Sequence, residues 1–472
     1  MATGKRTSRL VLVRQPLDNA HSPDPPTEKP ADLYSPRDYA PGDADTRALQ
    51  GIAAEQSIAP QIAPASVGMP RMIRALRHRD FRLFWFGNFL SNIGTWMQNV
   101  AQGWLVLLLI PHNPAFWLGV VGFAASAPML VFALFGGVIA DRFDKRKLMI
   151  WTQSSMMVLA FVLWGFTASG HINVPLIVLL AFANGLAMSL NTPSYQAMVP
   201  ELVPREDLNN AIALNSAQFN MSRVIGPTLG GFAMAWVGIS GNFLLNAISF
   251  VAVLIALMQI TYPPVYAGED NNTVWETISE GFRYLFDQRE MLLLIALTGL
   301  ASTLALPFVN FIPLFAKDIL HTGERGFGIL MAFSGIGSFF GAATIAYIRK
   351  IRCRGRFVVR SAVAFYIFVI LFSFSRNFWL SGLLLAAAGY WMILMVATVN
   401  SMLQHLSADE MRGRVMSIYA TAFLGFAPIG SLLAGALASF FGAPITIASL
   451  SAIALVISLY LYSTQPALRC SD

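Results

Sequence analysis

The sequence predicts an all-α polytopic membrane protein, with twelve transmembrane helices in two six-helix, pseudo-symmetric bundles. Composition is the first reason. Hydrophobic residues make up 56% of the chain and charged residues 12%, with a mean hydropathy of +0.58, whereas a soluble domain carries about 25% charged residues. Spacing is the second, because apolar stretches close to the ~20 residues needed to cross hydrocarbon recur all along the chain beyond residue 72. The third is the placement of charge. Arg and Lys gather in alternate loops, around Arg74, Arg146, Arg354 and Arg412, while the intervening loops hold only Lys317, Arg325 and Arg376. Bases favour the cytoplasmic side of short loops, so both termini are expected in the cytoplasm and the chain in the cell (inner) membrane. The same loops account for the net charge of +7 without any nucleic acid partner.

The elements follow in order. Residues 1–72 read as a disordered cytoplasmic tail, since Pro23, Pro25, Pro26, Pro30, Pro36, Pro41 and Pro60 are strewn among Asp, Thr, Ser and Ala. Residues 73–260 are expected to form the N-terminal bundle, with spans near 81–110, 116–140, 148–169, 174–194, 208–236 and 242–260. A polar linker, 261–290, separates the halves. Within it Trp275, Ile278, Phe282 and Leu285 recur at helical spacing amid Glu276, Glu280, Arg283 and Asp287, which predicts an amphipathic helix. Residues 291–463 form the C-terminal bundle, with spans near 291–315, 326–348, 357–375, 378–403, 411–440 and 444–462, and 464–472 is a short cytoplasmic tail.

The two halves carry a weak internal repeat. Glu206-Asp207-Leu208 leading to Gly226-Pro227-Thr228-Leu229-Gly230-Gly231 returns as Asp409-Glu410-Met411 leading to Gly430-Ser431-Leu432-Leu433-Ala434-Gly435. Repeats of this kind place a substrate site near the midplane, between two bundles that rock against each other.

Two motifs point further. The loop Gly137-Val138-Ile139-Ala140-Asp141-Arg142-Phe143-Asp144-Lys145-Arg146-Lys147 sits between two apolar helices. It resembles the loop between the second and third helices of the major facilitator superfamily, with Asp144 and Lys145 standing where that family usually has Gly and Arg. The variant resembles its secretion-effector, enterobactin-exporter-like branch, as do Gly94-Thr95-Trp96-Met97-Gln98 and Val203-Pro204-Arg205-Glu206-Asp207-Leu208. The Gly226-Pro227-x-x-Gly230-Gly231 core resembles the superfamily motif that marks exporters, and small residues beside a proline allow close packing and a bend. The resemblance runs from Ala75 to Tyr462. It implies alternating access and export, and it implies proton antiport, although no Asp or Glu lies well inside any expected span.

The same resemblance implies a conformational latch. Asp141 ends a helix where another is expected to begin, with Ser407-Ala408-Asp409-Glu410 reading as a capping box and Arg412 and Arg414 in its first turns. A carboxylate facing a helix N-terminus and arginines is favoured. Gly137, Asp141, Arg142, Arg146, Glu410, Arg412 and Arg414 are therefore the expected latch, closing the cytoplasmic side in the outward-open state. The counterpart loop has decayed in the second half, where Ala346 and Tyr347 stand opposite Asp141 and Arg142.

Arg223 is the one charge expected at mid-membrane, about 22 Å along its helix from Leu208. So deep a charge faces either a cavity or a partner. It reads as an anchor for an anionic substrate or as a brace to carbonyls and amides of neighbouring helices. Asn88, Asn92, Thr95, Asn99 and Gln102 fall within an arc of about 80° on the first helix and must turn away from lipid. With Arg223, Asn184, Asn191, Asn215, Gln218, Asn310, Tyr390 and Asn400 they make up the expected substrate cavity; interhelical hydrogen bonding is the other use for such amides.

No esterase elbow, zinc-protease motif or phosphate-binding loop occurs, and the six histidines lack ligand spacing. No enzyme activity, cofactor or metal is expected, and a gradient rather than ATP would drive transport. Cys353 and Cys470 suggest neither a disulfide framework nor a metal site. The leading reading is a monomeric, proton-linked exporter of a small amphipathic molecule, a siderophore-like natural product or a drug. The alternatives are a lipid or lysophospholipid transporter and a non-transporting sensor or scaffold.

Overall fold

Hydrocarbon offers no hydrogen-bond partner, so a chain this apolar must satisfy its backbone internally, and helices do so segment by segment. The computed structural model describes residues 71–466 and 469, apart from 111, 143, 262–273, 349–352 and 409–410; the side chains of 71–72, 130–143, 274–278, 346 and 424 also lie outside the description. The expected N-terminal tail falls outside the described residues up to position 70, and its last two residues begin a 3-10 turn. All regular structure among the described residues is helical.

A 3-10 turn, Arg71–Arg77, leads into α1 (Arg79–Leu109), followed by α2 (Pro114–Arg142), α3 (Lys145–Ala168) and α4 (Val174–Met198). α5 (Leu208–Gln259) holds two expected helices in one continuous segment. The chain reverses at Gly238, whose φ of +74° is open to glycine without strain, so a loop of several residues is not needed there. α6 (Val274–Asp287) is the linker helix. α7 (Arg289–Leu304) and α8 (Phe308–Leu314) make one interrupted crossing, and α9 (Gly323–Tyr347), α10 (Arg354–Phe374) and α11 (Phe378–Leu406) come next. α12 (Arg412–Ala420) continues through a π turn into α13 (Ala427–Phe441), and α14 (Ala443–Thr464) completes the order.

Nine helical stretches among the described residues are long and apolar enough to cross a membrane. One of them contains both arms of α5, and α1 and α2 add lengths of 31 and 29 residues. This order accommodates twelve crossings.

Local sequence explains the helix ends. Asn173 accepts a hydrogen bond from Leu176 N at 2.9 Å to cap α4, and Asn377 accepts from Leu380 N at 3.0 Å to cap α11. Asparagine at this position satisfies an N–H that the helix leaves open. The two caps precede corresponding helices of the two halves, an echo of the internal repeat. Asp144 caps α3 in the same way, accepting from Lys147 N at 3.1 Å.

Within the first half α1 packs on α5 and α2 on α4; within the second α9 and α10 pack on α11, and α10 also on α14. The halves meet along two pairs, α5 with α9 and α2 with α13. One end of the bundle carries the Arg71–Arg77 turn and the loops before α3 and α10, and is called the basic end below. The far end carries Gly238, Gly442 and the loops before α2, α4, α9 and α11.

Candidate functional site

The two contacts between halves are built from glycine. A methyl group added at Gly328 in α9 would stand 2.9 Å from Gly231 Cα in α5, and one added at Gly435 in α13 would stand 2.8 Å from Gly119 Cα in α2. Backbones approach this closely only where side chains are missing. Gly231 and Gly435 occupy matching places in the internal repeat, so each half offers the same glycine to the other. Both contacts lie toward the far end. Gly226 and Gly230 serve a different purpose: a methyl at Gly226 would meet Trp96 Cβ at 2.5 Å and one at Gly230 would meet Met97 Cα at 3.1 Å, so these two seat α5 on α1 inside the first half. Pro227 is buried between them, and the backbone break comes at Gly238.

Polar groups reinforce the far-end contact. Trp104 Nε1 donates to Glu324 Oε1 at 3.0 Å, from α1 to the first turn of α9, while the Trp104 ring stacks on Phe327 with centroids 5.8 Å apart. Lys317 Nζ donates to Leu107 O at 2.7 Å, capping the last turn of α1 from the second half. Asn310 Nδ2 donates to Ser431 Oγ at 2.9 Å and lies against Gly122.

Among the described residues, the ion pairs at the basic end hold within one half or to the linker helix. Asp207 is 1% exposed and accepts from Arg77 Nη2 at 2.9 Å and shares a hydrogen bond of 2.8 Å with His78 Nε2, with Arg74 Nε at 3.0 Å from its other oxygen. Asn210 Oδ1 accepts from Ala75 N at 2.8 Å, so the 3-10 turn is fastened to the start of α5. Lys145 pairs with Glu201 at 2.5 Å, joining α3 to the 3-10 turn that follows α4.

Of the expected latch, Gly137, Asp141 and Arg142 lie in the last turns of α2 with side chains outside the description, and Glu410 is outside it altogether. Arg146 donates from Nε to Leu257 O at 2.6 Å and from Nη2 to Met258 O at 2.8 Å, capping the second arm of α5. A guanidinium fits there because helix C-termini leave carbonyls open. Arg414 pairs with Glu280 of α6, and Arg412 Nε donates to Gln404 O at 3.1 Å. The expected capping box does not form through Ser407. Its hydroxyl donates back to Leu403 O at 2.6 Å, and α12 starts at an N-cap, Met411, without a side-chain bond. Cys353 is disulfide-bonded, against the expectation that the cysteines carry no disulfide framework.

Between these ends lies Arg223, midway between Leu208 and Gly238 on the first arm of α5. Its side chain reaches across to the second half, with Nη2 3.9 Å from Met392 Sδ of α11, and its Cζ lies 6.0 Å from the Trp96 ring centroid of α1. Trp96 packs edge-on against Phe219 at 6.3 Å. Toward the basic end, a cavity of about 460 Å³ opens among Ala397, Asn400, Ser401, Gln404, His405 and Arg412. A second, apolar crevice of about 250 Å³ lies between α5 and α9, bordered by Leu229 and Ile336.

The polar stripe of α1 divides. Asn88 and Gln102 are buried, and Asn88 Nδ2 donates to Phe84 O at 2.8 Å; Thr95 bonds its own helix at Ser91 O. Asn92 is half-buried and Asn99 exposed. Asn191 accepts from Thr152 Oγ1 at 3.0 Å and Gln153 Nε2 at 3.2 Å, which braces α3 to α4. Asn215 and Gln218 both face the Tyr195 hydroxyl, 3.1 Å from Gln218 Oε1. Asn184 and Tyr390 are half-buried, and Asn400 accepts from Gln404 at the cavity wall. Sequence reasoning missed Trp104 and Glu324. An acid near a helix start reads as an ordinary first-turn residue, and only the pairing across halves distinguishes this one.

Two helical halves of repeated design, packed on each other toward one end, with a polar cavity in the second half toward the other, define a two-bundle membrane transporter. The chain belongs to the transmembrane secretion effector family, whose model matches residues 72–470. It is 26% identical over 370 residues to the staphyloferrin A transporter of Staphylococcus aureus, covering 76% of this chain and 90% of that one. It is also 25% identical over 383 residues to the multidrug efflux pump Tap of Mycolicibacterium fortuitum, covering 78% and 91%. Its fold is similar to the crystal structure of the nucleoside transporter NupG, with a TM-score of 0.63 at 13% identity, over 82% of this chain and 98% of that one.

Proposed function

We propose that this protein is a secondary active exporter that carries a small amphipathic molecule, siderophore-like or drug-like, out of the cytoplasm by alternating access in exchange for protons. The observation that carries the reading is the polarity of the bundle. The glycine contacts and the Trp104–Glu324 bond close the far end, while the cavity at Asn400 and Gln404 opens at the basic end. With the basic end in the cytoplasm, as the loop charges favour, this is the state that loads substrate from inside. In the opposite state the basic end closes, and Asp141 with Arg142 would engage Glu410 and Arg412 as the latch. Arg414, held by Glu280, ties the linker helix to the same closing surface. The transporter works as a monomer in the inner membrane and makes no covalent change in its cargo.

A lipid-transporting reading draws on the apolar crevice between α5 and α9, whose Leu229 and Ile336 are 45% and 46% exposed and would meet acyl chains. The two readings separate in one experiment. Metabolites of cells and medium are compared between parent and deletion strains, grown with and without iron, with the intact gene or Asp141→Asn restored. Export predicts one compound retained in deletion cells and returned to the medium by the intact gene alone. Unchanged metabolites with altered lysophospholipid movement would favour the lipid reading instead.

A further inference from the structure

Arg223 sits where a charge is least tolerated, at the middle of a crossing and between the two halves. Such a group is kept only when something answers it. A brace would give the guanidinium carbonyl or amide oxygens. The structure gives it a thioether, Met392 Sδ at 3.9 Å, and the face of Trp96 at 6.0 Å. Among the described residues it has no carboxylate partner, and acids such as Glu201, Asp207 and Glu324 stand near the ends of the crossings. Its fork of donors is therefore available, and guanidinium is the side chain best matched to a planar, two-oxygen anion. The ring surface beside it is continuous, since Phe219 meets Trp96 edge-on at 6.3 Å and is 46% exposed. Asn92 and Asn99 share the face of α1 that carries Trp96, four residues before and three after it.

We propose that Arg223, Trp96 and Phe219 form a subsite for the anionic head of a ring-bearing amphipath, with the guanidinium pairing a carboxylate or phenolate oxygen and the two rings taking its aromatic body. This rests on the exporter reading and narrows its cargo: anions are favoured, and lipophilic cations are disfavoured because the deep charge is positive. The subsite also lies across the seam, with Met392 on the opposite half, so an anion bound at Arg223 touches both bundles as they move.

The test uses the purified full-length protein and three probes of one shape, 1-naphthylacetate, 1-naphthylmethanol and 1-naphthylmethylammonium. Wild type is expected to bind the acetate about tenfold more tightly than the ammonium, the order of one charge-assisted hydrogen bond. Arg223→Lys should keep part of that preference, Arg223→Gln should abolish it, and Trp96→Leu should weaken all three probes alike. Equal binding of anion and cation by wild type, no binding of the acetate, or a preference surviving in Arg223→Gln would overturn the proposal. Should Arg223→Gln fail to fold, the ranking in wild type and in Arg223→Lys still decides. Uptake into everted vesicles separates the two readings: charge-selective binding without movement sinks the exporter and spares the subsite, and movement of neutral and cationic probes that ignores Arg223 does the reverse.

Discussion

Trp104 donates its indole N–H to the carboxylate of Glu324, joining the first helix of one half to the first turn of α9 in the other. The bond is charge-assisted and lies beside the stacked Phe327 ring. Losing it should cost the closed far end about 1–2 kcal/mol. Glu324→Ala or Trp104→Phe is therefore expected to raise far-end exposure roughly five- to thirtyfold. Maleimide labelling of Val121→Cys from outside, in a Cys353→Ser, Cys470→Ser background, reads this directly. Glu324→Gln, which still offers a carbonyl to the indole, should fall between, and labelling unchanged in all three would remove the bond from the seal.

The glycine contacts should be less forgiving than the hydrogen bond. Gly231→Val places branched carbons against the Gly328 backbone, and Gly435→Val does the same to Gly119. Overpacking of this sort costs about 1–3 kcal/mol, all of it in the state where the far end is shut. Export should fall at least tenfold while the Val121→Cys site becomes more open. Gly165→Ala, whose added Cβ meets nothing within 4 Å, is the control and should transport normally.

Asp207 gathers Arg74, Arg77 and His78 although it is itself 1% exposed. Removing its charge leaves three basic groups around a buried site, but the arginines are half exposed and can turn to water. A loss of about 1–3 kcal/mol follows for Asp207→Asn, seen as faster tryptic cleavage after Arg74 and Arg77 and a lower unfolding temperature. Normal protection of these sites in Asp207→Asn would show that Asn210 alone holds the turn.

The linker helix tests packing against charge. Arg414 and Glu280 are 25% and 51% exposed, so their pair is screened and should show a coupling of no more than about 1 kcal/mol in a double-mutant cycle. Gly281 lies under it, where an added Cβ would meet Arg414 Cβ and Ile418 Cδ1 at 3.2 Å each. Gly281→Leu should therefore detach α6 more completely than Glu280→Ala. Proteolysis within 261–290 measures both, and a larger effect of Glu280→Ala would reverse the ranking.

Much of this architecture can be read from the chain because lipid enforces it. Apolar length and loop charge give the order of crossings, and the Gly226 to Gly231 motif marks the helix that packs most closely. What the motif does not reveal is the division of labour, since Gly226 and Gly230 face α1 while Gly231 faces α9. Neighbouring glycines look alike until a partner is placed beside each. The amides behave likewise. Asn191 sits in a brace and Asn400 at a cavity wall, although both are asparagines in apolar helices. Arg223 was legible by depth alone, whereas its neighbours Trp96 and Met392 come from distant parts of the chain and needed the fold to be found.

The reversal at Gly238 leaves no slack between the arms of α5. Asn242 Nδ2 donates to Gly230 O at 2.9 Å just below the turn, and Arg146 grips the last carbonyls of the second arm. The two arms thus form a stiff lever with its elbow at the far end. On the proposed reading, a tilt of Arg223 by bound cargo would carry both arms together and, through Arg146, the start of α3.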